Sequence, residues 1–242
     1  MKSAPAVEIK KLNRSFGPKQ VLQDISLEIA TGEIIGIVGS NGSGKTTLLR
    51  ILATLLLPSS GEVLIDGQRI THSTSEIRKL IGWVSTSDGG FIPRFTGHEN
   101  LHFFGALYGL TSKQVERVIG EYSSLTPFQA ALQTPFYLCS AGMKQILRIA
   151  RALLARPSII LFDEPLRSLD DKTSDFISSF LIQFLGPSTR EEPTIIATNM
   201  NASTNKITST AKTLIFTTPN GEDVNRWRGA RKVELRDGVI YV

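Results

Sequence analysis

The sequence predicts an α/β fold in which helices cover both faces of a mostly parallel β-sheet. Short apolar runs, each about the length of one strand, alternate along the chain with stretches whose apolar residues recur at helical spacing. A glycine-rich segment directly connects one of these runs to one of these helical stretches. Such alternation is typical of a sheet whose successive strands are joined by helical crossovers.

The first expected elements flank the glycine-rich segment. Residues 7–11 and 25–29 flank a turn-rich stretch at 16–18 and predict a short antiparallel sheet. Residues 33–38 are apolar on both faces, which is the pattern of a buried parallel strand. A helix is expected to begin near Lys45, because four leucines then recur at helical spacing: Leu48, Leu49, Leu52 and Leu55.

The rest of the chain contains further strands, one clear helix and an insert. Strands are expected at residues 80–84, 159–162, 194–197 and 213–216. A helix is expected where apolar residues recur between 176 and 185. We interpret the whole chain, 1–242, as a single domain in which 1–92 and 146–242 form the core with its β lobe. Residues 93–145 form a helical subdomain, with apolar residues at helical spacing and no convincing strand.

Composition excludes some classes of protein. With 41% hydrophobic and 20% charged residues, the chain has the balance of a globular protein with a packed core. No apolar stretch reaches the ~18 residues that cross a bilayer, and no apolar secretory segment is expected at the start. Cys139 is the single cysteine, so no internal disulfide can form. A net charge of +5 suits an anionic partner such as nucleic acid, an anionic lipid surface or a nucleotide.

The densest basic cluster lies near the C-terminal end of the sequence. It consists of Arg226, Arg228, Arg231 and Lys232, with Trp227 among them. It lacks the 5–8 consecutive basic residues of a dedicated binding patch. We therefore expect a solvated surface loop.

One segment has the spacing of a phosphate-binding loop. Residues 39–46 match the pattern G-x-x-x-x-G-K-[ST]: Gly39, Ser40, Asn41, Gly42, Ser43, Gly44, Lys45 and Thr46. The glycines let successive backbone N–H groups point at phosphate oxygens, and the following helix directs its positive end at the same anion. Lys45 is expected to bridge the β- and γ-phosphates, Thr46 to ligate Mg²⁺ and Thr47 to add a phosphate contact. The segment therefore predicts a triphosphate site with Mg²⁺.

A second segment supports this site. The strand expected at 159–162 ends in two carboxylates, Asp163 and Glu164. A buried strand of this kind delivers Asp163 beside the phosphate loop, where it can hold the Mg²⁺ shell. Glu164 is then placed to polarise an attacking water. A plain helix N-cap before Pro165 is the alternative interpretation of these acids.

A third segment indicates the class of nucleotide-binding protein. The run C-S-A-G-M-K-Q at 139–145, followed by a basic helix at 148–153, resembles the signature L-S-G-G-Q of ATP-binding-cassette (ABC) ATPases. The acidic strand follows in the family's order, and 168–170 is similar to the family's D-loop. Phe16 stands where the family has an aromatic that stacks on adenine. The resemblance covers essentially the whole chain.

The resemblance implies a P-loop NTPase core of the RecA-like type, with an N-terminal antiparallel β subdomain and an inserted helical subdomain. It also implies binding and hydrolysis of ATP with Mg²⁺ in a head-to-tail pair of cassettes. Ser140, Ala141 and Gly142 of one cassette would then close on the γ-phosphate held by the other. The second cassette is either a copy of this chain or a different one.

The resemblance extends to the partners. Residues 96–104 and 140–145 are similar to those of ABC exporters in which the cassette and an integral membrane permease subunit are separate chains. A location at the cytoplasmic face of the membrane is implied, and a nucleic-acid partner is not expected. Two other functions stay open: a soluble ABC ATPase of translation or DNA maintenance, and a nucleotide-sensing cassette with weak turnover.

Three departures from the family pattern concern hydrolysis. Thr86 stands where a glutamine is usual, and the signature has Cys139, Ala141 and Met143 where Leu, Gly and Gln are common. Asn199 follows the strand expected at 194–197, at the place of the family's switch histidine. Asparagine can donate a hydrogen bond but cannot carry a titrating proton. We therefore expect Thr86 and Asn199 to slow hydrolysis; a tolerated family variation is the alternative.

Overall fold

The computed structural model describes residues 4–72, 74–85, 87, 89–122, 126–167, 169–185 and 212–241. Its strands are β1 (Val7–Phe16), β2 (Lys19–Ile29), β3 (Ile34–Val38), β4 (Ser60–Ile65), β5 (Gln68–Arg69), β6 (Ile81–Val84), β7 (Ile159–Phe162), β8 (Thr213–Thr218), β9 (Arg231–Arg236) and β10 (Val239–Tyr241). Its helices are α1 (Lys45–Leu52), α2 (Thr74–Leu80), α3 (Gly97–Leu107), α4 (Ser112–Tyr122), α5 (Thr126–Gln133), α6 (Ala141–Leu153) and α7 (Asp171–Leu185). Short 3₁₀ helices span Phe136–Leu138 and Gly221–Arg226.

A six-stranded sheet in the order β10-β9-β3-β8-β7-β6 forms the centre of the fold. All neighbouring strands in it run parallel except β10, which pairs antiparallel with β9. Every residue of β3, β7 and β8 is buried. A strand covered on both faces needs apolar residues at successive positions, which explains the continuous apolar runs in the sequence. The predicted α/β fold is confirmed.

Side chains of the central strands alternate between two apolar clusters, one on each face of the sheet. In β7, Ile160 and Phe162 join the cluster on the side of the helical subdomain, whereas Ile159 and Leu161 join the cluster that contains α1. Strand geometry requires this, because successive side chains point to opposite faces. The sheet therefore holds both halves of the core together.

A second sheet, in the order β2-β1-β4-β5, forms the N-terminal lobe. Its first two strands form a long antiparallel hairpin that pairs Val7 with Ile29 at one end and Phe16 with Lys19 at the other. The N–H of Gln23 donates to the carbonyl of Gly238 at 2.8 Å, which joins β2 to the turn before β10. The antiparallel sheet expected from residues 7–11 and 25–29 is confirmed and is longer than the apolar runs, because β1 and β2 continue to the turn at Gly17.

The helical subdomain packs around α3, and a buried amide fixes its entry loop. Asn100 is fully buried; its Nδ2 donates to the carbonyls of Ile92, Phe95 and Thr96, and its Oδ1 accepts from the N–H of Ile92 at 2.7 Å. Both polar atoms of the Asn100 side chain therefore bond to the same loop, residues 92–96. A buried amide satisfied in this way specifies a single loop conformation. The helix α6 runs through the boundary expected at residue 145, so the subdomain and the core share a continuous helix.

Several sequence-based expectations differ from the structure in detail. Leu80 ends α2, so the expected strand at 80–84 begins one residue later. The expected strand at 194–197 lies outside the described residues. The expectation of a solvated loop for the basic cluster is wrong in part: Trp227 is only 1% exposed, and Arg231 begins β9 and pairs with the buried Glu33 at 2.6 Å. β9 runs beside β3, and this brings Arg231 to a carboxylate distant in sequence.

Candidate nucleotide-binding site

The loop between β3 and α1 is shaped by glycines at two tight positions. A Cβ atom on Gly39 would lie 2.2 Å from the carbonyl oxygen of Leu235, so no other residue fits there. Gly44 caps α1 in the left-handed conformation, with φ of 105°, and offers no side-chain hydrogen bond to the helix. The first N–H groups of α1 therefore have no side-chain cap. A helix start of this kind attracts an anion, because its N–H groups and its dipole point the same way.

Lys45, the first residue of α1, folds its side chain back over this loop. Its Nζ donates to the carbonyls of Gly39 at 2.7 Å and Ser40 at 3.0 Å, and the residue is 4% exposed. Burial lowers the pKa of the Lys45 ammonium, and the nearby carboxylates of Glu164 and Asp163 oppose that shift. A buried cation beside the uncapped start of α1 is well placed to receive phosphate oxygens.

The carboxylate of Asp163 joins the ends of three elements. Asp163 directly follows β7 and is 8% exposed. Its Oδ1 accepts hydrogen bonds from the hydroxyls of Thr46, at 3.1 Å, and Thr217, at 2.8 Å. Thr46 belongs to the first turn of α1 and Thr217 to the end of β8. The structure thus brings Thr46 and Asp163 together, although 117 residues separate them in sequence.

These two residues fit a magnesium ion. Mg²⁺ in proteins is bound through one or two carboxylates together with substrate phosphates, and hydroxyl oxygens complete its shell. The Thr46 hydroxyl and the Asp163 carboxylate supply two such oxygens within 3.1 Å of each other, beside the phosphate loop. The donor set is therefore that of an oxygen-ligated hard cation.

Glu164 lies next to this junction in a strained conformation. Its φ of 48° lies in the left-handed region, which costs a residue with a side chain roughly 1–3 kcal/mol. Its N–H donates to the Thr217 hydroxyl at 3.0 Å, and its carboxylate pairs with Arg167 at 3.1 Å. Strain of this kind is concentrated at functional sites, where surrounding contacts hold it in place.

A pocket of about 270 Å³ lies over the phosphate loop. Glu164 forms one wall, and the remaining lining residues are Lys19, Val21, Asn41, Gly42, Gly44, Lys45, Thr46 and Thr47. Lys19 and Val21 come from β2 and were not predicted from the sequence. They adjoin the loop because β2 packs along α1, a contact between elements that no local pattern reveals.

Thr217 is the main site residue that the sequence did not reveal. Its hydroxyl donates to Asp163 and accepts from the N–H of Glu164, so it fixes both acidic residues. Thr217 is fully buried in β8. This strand lies between β3, which leads into the phosphate loop, and β7, which ends at Asp163 and Glu164. The sequence run at 213–216 predicts the strand, but nothing local indicates a hydrogen bond to a residue 54 positions away.

Phe16 lies at the end of β1, where 47% of its surface is exposed. The guanidinium of Arg14 lies 4.4 Å from the centroid of its ring. An exposed ring next to the β2 residues of the pocket can stack on a flat heterocycle. Its role in adenine stacking stays a prediction.

The signature residues lie at the start of α6. Ser140 is the N-cap of that helix and accepts from the N–H of Met143 at 3.2 Å, while Ser140 and Ala141 are exposed. A Cβ atom on Gly142 would lie 2.8 Å from Thr173 Cγ2, so the helix start packs closely against α7. Among the described residues, no hydrogen bond joins Ser140 to the phosphate loop of its own chain.

Other predicted site residues lie outside the described part of the chain. These are Thr86, Asn199 and, in the D-loop run, Ser168. Asp170 of the same run caps α7: its two carboxylate oxygens accept from the N–H and the hydroxyl of Thr173 at 3.0 and 2.7 Å.

The fold and the site together define the class of protein. A phosphate loop follows a central parallel strand, an acidic pair follows a strand two positions away, and a helical subdomain is inserted between them. This is the arrangement of a P-loop ATPase built as a cassette.

Comparison with known proteins identifies the family. The family model described as "ABC transporter" matches residues 22–167. The chain is 38% identical over 194 residues to the ABC transporter ATP-binding protein NatA of Bacillus subtilis, covering 78% of this chain and 77% of that one. The chain belongs to the ABC transporter family, as an ATP-binding subunit with ATPase activity.

Other relatives are matched over a smaller share of their length. The Nod factor export ATP-binding protein I of Bradyrhizobium diazoefficiens is 32% identical over 165 residues, 68% of this chain and 54% of that protein. This chain therefore spans about half the length of that relative.

Solved structures show the same fold. CbiO1 of Clostridium perfringens, described as part of the ABC transporter complex CbiONQ, has a TM-score of 0.78 at 21% identity, covering 99% of this chain and 88% of that one. A dimeric ATP-binding cassette in a post-hydrolysis state with ADP and phosphate has a TM-score of 0.70 at 24% identity, covering 98% and 97%.

We expect the substitution Thr217→Val to show what the hydroxyl contributes to stability and turnover, because the packing volume of the side chain is nearly unchanged. Valine keeps the shape but removes one donor to Asp163 and the acceptor for the Glu164 N–H, which costs about 1–3 kcal/mol of stability. ATP turnover is expected to fall about tenfold or more, because both acidic residues lose their fixed position.

The matched control is Thr217→Ser, which keeps the hydroxyl. Urea unfolding and steady-state phosphate release measure both effects. Equal turnover in the valine variant and the wild type would contradict the positioning role.

Proposed function

We propose that this chain is the ATP-hydrolysing cassette of an ABC exporter, and that it works with a second cassette and a separate membrane permease. The proposal that the chain binds and hydrolyses ATP rests on the Asp163 carboxylate, which is hydrogen-bonded to Thr46 of the phosphate loop and to Thr217. The exporter part is supported by the relatives, one of which is described as a Nod factor export protein.

The phosphate loop and Lys45 bind the triphosphate in this proposal. The uncapped N–H groups of α1 and the Lys45 ammonium receive its oxygens, and Lys45 then exchanges its bonds to loop carbonyls for bonds to phosphate. Thr46 and Asp163 would hold Mg²⁺, and a bound Mg²⁺ would supply positive charge beside the phosphates. Phe16 stacks on the adenine.

Glu164 acts as the group that polarises the attacking water. Its carboxylate lines the nucleotide pocket, and its backbone is fixed by Thr217. The water gives up a proton towards this carboxylate as its oxygen bonds to the γ-phosphorus and the bond to the leaving ADP oxygen breaks. Arg167 holds the carboxylate until substrate is bound.

The signature residues serve the nucleotide of a second cassette. Ser140 and Ala141 are exposed at a helix start. A helix N-terminus that faces outward can receive the γ-phosphate of a nucleotide on another subunit. Gly142 keeps this end of α6 close to α7.

The helical subdomain provides the contact with the membrane chain. Of the ten exposed large hydrophobic residues among those described, six lie in this subdomain: Phe95, Phe103, Leu107, Tyr108, Tyr137 and Leu138. Exposed apolar groups concentrated on one subdomain are typical of a protein-binding surface. In the described part of the chain, no helix has the length and hydropathy to span a bilayer. Such a pairing would hold the cassette at the cytoplasmic face of the membrane.

Slow turnover is the second part of the proposal. Thr86 and Asn199 replace a glutamine and a histidine in the family pattern. In the described part of the chain, β8 lies between β3, which leads into the phosphate loop, and β7, which leads into Asp163 and Glu164. The residue after β8 is Pro219. Proline has neither a side-chain donor nor a backbone N–H. Either Asn199 or Pro219 thus stands where a histidine would assist hydrolysis.

A nucleotide-sensing cassette with weak turnover is the second candidate function, because neither Asn199 nor Pro219 has a titrating side chain. A soluble ABC ATPase acting on nucleic acid is a third, for which the net charge of +5 is the support. ATPase stimulation by a co-expressed membrane chain favours the exporter. Retention of nucleic acid at moderate salt favours the third candidate.

The substitution Glu164→Gln tests the nucleotide part. We expect ATP binding to be preserved and hydrolysis to fall by at least about a hundredfold, because the amide cannot accept the water's proton. Since bound ATP then persists, the variant should form a dimer with ATP on gel filtration.

The paired variant is Lys45→Ala, which should lose ATP binding itself. Wild-type hydrolysis by the glutamine variant, or unchanged ATP affinity in the alanine variant, would contradict the proposed roles.

Single-turnover hydrolysis tests whether the missing histidine slows ATP turnover. The variants Asn199→His and Pro219→His each restore an imidazole at one of the two candidate positions. We expect one of them to accelerate hydrolysis about tenfold or more, with the greater effect identifying the position. If both hydrolyse ATP at the wild-type rate, turnover is not limited by a missing histidine.

A further inference from the structure

Two of the chain's three histidines converge on one carboxylate, outside the nucleotide-binding site. His98 and His102 lie four residues apart on α3, so their rings occupy the same face of that helix. Glu116 lies on α4. The Nε2 atoms of His98 and His102 lie 2.8 and 2.6 Å from the same atom, Glu116 Oε1.

The three groups have the geometry of a metal-ligand set. One ligand atom from each residue lies within 4.8 Å of the other two. Zinc binds histidine nitrogen and carboxylate oxygen at about 2.0–2.2 Å in a tetrahedron, so its ligand atoms lie roughly 3.3 Å apart. The Nε2–Oε1 distances of 2.8 and 2.6 Å need to lengthen by about 0.5 and about 0.7 Å to admit an ion.

The side chains have the freedom to make that adjustment. His98, His102 and Glu116 are 40%, 26% and 50% exposed. Their rings and carboxylate are reached directly from solvent, so an ion needs no channel. The exposed side also leaves at least one coordination position open to water.

The chemistry of the set selects the class of ion. Imidazole nitrogen suits zinc, copper, nickel and iron, whereas Mg²⁺ prefers oxygen ligands alone. The Glu116 carboxylate adds an oxygen ligand, which zinc accepts beside imidazole nitrogen. The Mg²⁺ of the nucleotide site is therefore a poor competitor here.

We propose that His98, His102 and Glu116 form a binding site for one divalent first-row transition ion of the zinc type. The ion links α3 to α4 and replaces the two hydrogen bonds with coordination bonds. Because α3 also carries the exposed Phe103 and Leu107, the ion stabilises the helix that presents part of the apolar surface of the subdomain. The site is independent of the nucleotide pocket, since none of its residues lines that pocket.

Zinc titration of the untagged, nucleotide-free chain tests the site. With excess Mg²⁺ present, isothermal calorimetry should show one Zn²⁺ bound per chain. The substitutions His102→Ala and Glu116→Gln should each weaken binding at least about tenfold, because even the loss of an outer-shell partner has an effect of that size. Zn²⁺ should raise the thermal unfolding midpoint of the wild type but not of these variants.

The control is His72→Ala, which removes the remaining histidine on an exposed turn. It should bind Zn²⁺ like the wild type. Co²⁺ provides a measurement on the unmodified chain: its visible spectrum should show nitrogen and oxygen ligation without a thiolate charge-transfer band. Such a band would assign the ion to Cys139 and overturn the proposal.

Equal Zn²⁺ affinity in the wild type and the His102→Ala variant, or less than half an equivalent bound, would equally overturn it. The three residues would then be a hydrogen-bonded surface cluster only. Far-UV circular dichroism of each variant shows whether its fold is intact before affinities are compared.

Discussion

One oxygen atom, Asp163 Oδ1, is the point on which the site depends. It accepts hydrogen bonds from Thr46 and Thr217, so the ends of β7 and β8 and the start of α1 are held together at one carboxylate. Parallel strands make this possible, because their carboxyl ends lie at the same edge of the sheet. The burial of Lys45 and the strained backbone of Glu164 are tolerated because this junction fixes their surroundings.

The helical subdomain is connected to the same edge through α6. Gln145, which is 4% exposed, donates from Nε2 to the carbonyl of Pro165 at 2.9 Å, directly after the acidic pair. The close contact of Gly142 with Thr173 joins the start of α6 to the start of α7. The signature helix α6 is thus in direct contact with the loop that follows Asp163 and Glu164. Packed contacts and hydrogen bonds of this kind can carry energetic coupling between two sites.

The sequence predicted what short segments determine by themselves. The phosphate loop, the buried runs of β3 and β7 and the amphipathic α7 are local patterns, and the structure contains each of them. The strands β4, β5, β9 and β10 were not predicted, because they are short or only half-buried and their sequences lack a continuous apolar run. Thr217 bonds to Asp163 and Arg231 bonds to Glu33 because the fold places segments distant in sequence next to each other. No local sequence pattern encodes that placement.

Thr46 and Asp163 are the residues that we expect to hold the magnesium ion that accompanies ATP. The most direct measurement is ATP affinity with Mg²⁺ and with a chelator, compared between the wild type and the Thr46→Val variant, with Thr46→Ser as the matched control. We expect Mg²⁺ to tighten ATP binding to the wild type and the serine variant, and we expect the valine variant to lose this Mg²⁺-dependent gain. A valine variant that keeps the full gain would contradict it.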